Sequence, residues 1–110
     1  MPNHPETADA LLGLAQVALL NHQPGDALSS SSRALTNLRA ELPDNHWKVA
    51  LARVSLGQGL VMAHRQQEAE PLILRGERIL SAGLSISDPR RQTAEAALKE
   101  LQVQGAHPQH

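Results

Sequence analysis

The chain has no cysteine, no tyrosine and no phenylalanine, and its one tryptophan is Trp47. Without cysteine there can be no disulfide and no thiolate metal site. Without aromatic residues in number there is no platform on which nucleic-acid bases could stack. Neither sign of charge dominates. Ten Lys and Arg stand against eleven Asp and Glu, a formal net charge of −1, so no field draws the protein toward nucleic acid or an anionic membrane. The longest apolar run, ALLGLAQVALL at 10–20, includes Gln16 and falls short of the roughly 20 residues that span a bilayer. The opening MPNHPETAD lacks the basic start of a signal peptide. These absences predict a soluble cytoplasmic protein whose partners include neither nucleic acid nor membrane.

What is present is leucine, alanine, valine and isoleucine. Hydrophobic residues make up 41% of 110 residues and charged residues 19%, the balance of one small globular domain rather than a disordered chain. Alanine-rich cores bring helices close together.

The sequence repeats at a spacing of 42. His4 matches His46, Ala8 Ala50, Ala10 Ala52, Leu14 Leu56 and Gln16 Gln58. Further on, His22 matches His64, Ala27 Ala69, Arg33 Arg75, Leu38 Leu80, Ala40 Ala82 and Leu42 Leu84. A third unit opens in phase at Asp88-Pro89, keeps Ala94 and Leu98, and ends after one helix. A period of this size is the mark of stacked helical units.

Each full unit predicts two helices. Pro5 suits a first helical turn, and Ala8, Leu11, Leu12, Ala15, Ala18 and Leu19 recur at helical spacing. Asn21-His22-Gln23-Pro24-Gly25 predicts a turn. A second helix is expected from Asp26 to Leu42, with Leu28, Leu35, Leu38 and Leu42 on one face. Asn45 is placed to cap the third helix, expected over 46–64, and the fourth is expected over 67–84. Asp88 caps the fifth, which opens with Pro89 and fades near Gly105. Pro71 is expected at the end of a first turn, where a missing N–H has no acceptor to disappoint. Gly76, aligned with Ala34, and the pair Gly57 and Ala15 mark close helix approaches. The whole is an all-α domain over 1–110: repeat one at 4–45, repeat two at 46–87, a capping helix at 88–105 and a tail at 106–110.

The period alone would also suit HEAT or armadillo units. The detail does not. LGQGL, a turn, then QEAEPLILRGERIL resembles the tetratricopeptide repeat in its longer 42-residue form, found in kinesin light chains. Under that resemblance Leu14, Ala15, Ala27 and Ala34 hold the packing positions of unit one, and Leu56, Gly57, Ala69 and Gly76 those of unit two. The run from Asn45-His46-Trp47 through Glu68-Ala69-Glu70-Pro71-Leu72 to Asp88-Pro89-Arg90 is similar to the C-terminal repeats of some bacterial serine/threonine protein kinases. Both units depart from the family where Pro24 and Gln66 replace the aromatic after the turn, and unit one departs further, with SSSS at 29–32 in place of an apolar segment.

No catalytic constellation stands out. The paired histidines His4/His46 and His22/His64 fall on equivalent spots of successive hairpins, farther apart than one helix-packing distance of roughly 8–10 Å, so they cannot share an ion. No helix carries the His spacing of a zinc site. The serine run has no partnering base and reads as solvated helix surface. SLGQG at 55–59 lies within a helix and lacks the lysine of a phosphate loop. Trp47 is expected over the seam between repeats. Neither a metal nor a cofactor is expected.

One stripe carries the functional expectation. Asp9, Leu12, Gln16 and Leu19 are matched by Leu51, Val54, Gln58 and Val61, then by Thr93, Ala96, Glu100 and Val103. The resemblance implies that these first-helix positions line a concave face where an extended peptide or partner segment docks. A protein–protein interaction scaffold is therefore expected, with no chemistry of its own. The alternative is a non-catalytic regulatory segment of a bacterial kinase. A homodimer filling its own concave face, or a fragment of a longer array, would also fit the stripe.

Overall fold

The computed structural model describes residues 7–105, which form five helices and no strand: α1 (Ala8–Leu20), α2 (Pro24–Glu41), α3 (Trp47–Met62), α4 (Gln66–Gly83) and α5 (Pro89–Gly105). Pro5, His4 and the tail at 106–110 lie outside the described residues. Thr7 caps α1, its side chain accepting from the Ala10 N–H at 3.1 Å.

Both hairpin turns are built on histidine. His22 and His64 have φ of 55° and 64°, the left-handed region. At the first turn Gln23 N–H donates to Ala18 O and His22 N–H to Leu19 O; at the second, Arg65 N–H donates to Leu60 O and His64 N–H to Val61 O. This is the Schellman closure, with histidine where glycine is commonest. Pro24 and Gly25 are therefore not turn residues: Pro24 opens α2, where its fixed φ suits the helix.

The same backbone bonds recur 42 residues apart between units. Leu42 N–H to Leu38 O is matched by Leu84 N–H to Leu80 O, and His46 N–H to Pro43 O by Asp88 N–H to Ser85 O. Leu42 and Leu84 are both extended, with ψ of 154°. The third helix is capped one residue later than expected, by His46, whose Nδ1 accepts from Lys48 N–H at 3.0 Å. Asp88 Oδ1 accepts from Arg90 N–H at 2.9 Å and caps α5. Helix α4 begins at Gln66, so Pro71 is one residue deeper than expected, inside the helix, and leaves the Gln67 carbonyl without its helical donor. Gln67 is exposed, and water can meet that carbonyl.

Sequential helices pack as neighbours, and α3 also meets α1 and α5, whereas the backbones of α2 and α4 do not approach closely. The chain thus forms two layers, α1–α3–α5 and α2–α4. The first-helix layer is drawn together and the second splayed, which curves the stack toward α1, α3 and α5.

Core packing explains the glycines. A Cβ on Gly76 would lie 2.5 Å from Val54 Cγ2 and 2.8 Å from the Ala50 carbonyl; one on Gly57 would lie 2.4 Å from Ile73 Cγ1. Unit one solves the second contact in reverse. Ala15 stands where Gly57 does and Ser31 where Ile73 does, both fully buried. Ser31 is therefore core rather than solvated surface. Its Oγ has no hydrogen-bond partner among the described residues.

The loop between units is pinned by charge. Asp44 accepts from Arg53 Nη2 at 2.6 Å, pairs with Arg39 at 3.3 Å and also with Arg75, while its carbonyl accepts from Arg53 Nη1. Arg53 is almost wholly buried. The Arg53 hydrogen bond, helped by the charges of Arg53, Arg75 and Arg39, holds the Asp44 carboxyl below its ordinary range.

Candidate functional site

The face of the α1–α3–α5 layer turned away from α2 and α4 carries a groove in two parts. The larger, about 680 Å³, is bordered by Gln16, Leu19, Gln58, Val61 and Glu100 of the expected stripe. Leu20, His22, Met62, His64 and Gln66 complete its lining. The smaller, about 260 Å³, is lined by Leu12, Gln16 and Leu51 of the stripe and by Gly13, Ser55, Pro89, Arg90 and Thr93. Gln16 borders both, and its Nε2 donates to Ser55 Oγ at 3.2 Å, tying α1 to α3 between the two parts.

Four residues of the stripe border neither part of the groove: Asp9, Val54, Ala96 and Val103. Val54 is fully buried. It packs against Gly76, and this contact turns it into the hairpin and off the groove. Asp9 is exposed and borders neither part of the groove; its carboxylate lies 3.6 Å from Lys48 Nζ. Leu12 and Val61, at 9% and 7% exposure, present only an edge to the groove.

The polar atoms of the large part are unevenly satisfied. Gln58 Oε1 is shielded from solvent and accepts no hydrogen bond from a described residue. Glu100 is exposed. His22 and His64 border the groove because the left-handed turns place them at its rim. Their identity across the period is legible in the sequence, but not the left-handed backbone that brings them to the groove. Among the described residues no three His, Asp or Glu gather as metal ligands.

Trp47 sits beside the small part, half-buried against the main core. The Arg90 guanidinium lies over its ring, 4.3 Å from the centroid. His46 stacks on it at 5.7 Å. Arg90 is held in turn by Asp88, at 2.9 Å and 2.6 Å. That side-chain bond, with the backbone cap, lowers the Asp88 carboxyl to about 2.

A further apolar face lies on α1. Leu14 and Val17 are 48% and 53% exposed. In the next unit Leu56 packs against the core and Gly59 is buried beneath Leu28 and Ala27 of α2. Leu14 is thus not a core residue: among the described residues no helix covers the side of α1 that α2 covers on α3. No described helix is long and apolar enough to cross a membrane. No family model, curated protein or solved structure matches the chain.

Proposed function

We propose that the chain is a protein–protein interaction module of tetratricopeptide-like hairpins, docking an extended peptide or partner segment on its concave face and carrying no chemistry of its own. The observation behind this reading is the groove itself. Three first helices contribute Gln16, Gln58 and Glu100, one repeat apart, to one cavity of about 680 Å³. Such a row of amides and a carboxylate, flanked by Leu19, Leu20 and Met62, suits a peptide backbone with apolar side chains between its hydrogen bonds. A Gln58→Ala/Leu20→Ser variant removes one polar and one apolar contact without touching a fully buried side chain. Leu74→Ser, on the exposed side of α4, is the control. Partners captured by wild type and by Leu74→Ser should be missing from the groove variant at equal folded content. Partners retained by the groove variant but lost from Leu74→Ser would move the site to the α2–α4 layer.

The exposed Leu14 and Val17 support a second reading, in which α1 stacks on a further hairpin or a second copy. Light scattering should then give a mass above one chain that Leu14→Glu reduces, and a monomer at high concentration would remove self-stacking.

A further inference from the structure

We propose, resting on the concave-face reading, that the large part of the groove selects a basic side chain, lysine or arginine, carried on an extended segment of a partner protein. Among the described residues Glu100 is the one carboxylate of its lining, which holds neither Lys nor Arg and has His22 and His64 at its rim. Most other described carboxylates already have a partner: Asp44 its arginines, Glu68 Arg65, Asp88 Arg90, Glu95 Arg91 and Asp9 Lys48. Glu100 pairs with no described residue within salt-bridge distance.

The second feature is independent of charge. Gln58 Oε1 is a shielded acceptor with no donor among the described residues, and leaving a buried acceptor unpaired is costly. A ligand N–H reaches it once the Gln58 side chain turns outward into the groove, and a ligand that brings only oxygens offers it nothing. The Gln16 Nε2 donor is already engaged by Ser55, which leaves an anion the Gln58 amide and the rim imidazoles of His22 and His64, opposed by the Glu100 carboxylate. Arg90, the cation of the small part, is held by Asp88 and the Trp47 ring and does not offset Glu100. An ammonium or guanidinium is all donors and no acceptor. It meets both features at once, with the backbone amides of its own segment as further donors.

A phage-displayed library of random linear nonapeptides, selected at pH 8 against folded wild type, Glu100→Gln and Glu100→Lys, separates the possibilities. Wild type should enrich Lys and Arg over the input library. A selected peptide, followed by fluorescence anisotropy, should lose about fivefold in Kd with Glu100→Gln, the size of one good partly exposed ion pair. Its affinity should fall with added salt. Exchanging its basic residue for Glu should weaken binding to wild type and restore binding to Glu100→Lys. Selected peptides without basic residues, or with a basic residue that can be replaced at no loss, overturn the charge selection. In that case Gln58→Ala and Leu20→Ser still weaken them if the groove is the site. Peptides indifferent to those two changes, or no enrichment at all, overturn the concave face together with its occupant.

Discussion

Gly76→Ala is the sharpest test of the packing between α3 and α4. Within a helix, exchanging glycine for alanine ordinarily stabilises by about 1 kcal/mol. At Gly76 the new methyl would sit 2.5 Å from Val54 Cγ2 and 2.8 Å from the Ala50 carbonyl. The carbonyl belongs to the backbone of α3 and Val54 is fully buried, so neither can rotate aside and the helices must part. Overpacking of this kind costs roughly 1–3 kcal/mol, which cancels or exceeds the gain. Gly13→Ala isolates the gain, because a Cβ there meets nothing within 4 Å. The two variants should therefore differ by roughly 1–3 kcal/mol. Urea titration followed by circular dichroism would resolve that as about 1 M between midpoints, given slopes of roughly 1–3 kcal/mol per M. Gly57→Ala should fall between them, since its clash is with the Ile73 side chain rather than with backbone. Equal stabilisation by Gly76→Ala and Gly13→Ala would refute the close approach and with it the hairpin register.

Two further outcomes follow from buried and paired groups. Ser31→Ala removes a hydroxyl without a partner and improves helix propensity, so thermal unfolding should show a gain of about 1 kcal/mol; a loss would mean the hydroxyl is bonded. Asp44, Glu68 and Asp88 all have carboxyl pKa values held low by arginine hydrogen bonds. The unfolded chain therefore binds more protons than the folded one at acid pH, and stability rises with pH. The contribution should be complete above about pH 5 and lost as pH falls through the folded values, with Asp88 last near 2. Asp88→Asn should flatten the lower end of that profile in urea midpoints taken from pH 5 to 2, and an unaltered profile would count against the Arg90 pair.

Helix number, order and approximate ends were legible in the sequence because leucine and alanine recur with a clean helical spacing and the hairpins repeat it. What escaped was decided by single atoms. Asn45 and His46 can both cap a helix, and only the backbone path chooses the imidazole. Pro24-Gly25 is the stronger turn signal by composition, yet the left-handed residue is His22, since the Schellman closure needs it one step after the cap. The row Gln16, Gln58 and Glu100 was legible from the period alone. The burial of Val54 was not, because it depends on Gly76 having no side chain. The exposure of Leu14 depends on what packs against that side of α1, which no local pattern reports.

The reversed pair of sizes at Ala15–Ser31 and Gly57–Ile73 makes each hairpin a matched set. Joining α1 to α4 would press Ile73 into the methyl of Ala15, and joining α3 to α2 would set Gly57 against Ser31 and leave a hollow. Recombination between the two units is therefore tolerable at the inter-hairpin loop, around Pro43 and Asp44, and not at the turns within a hairpin. The heritable module is the whole hairpin, and its two helices must change together.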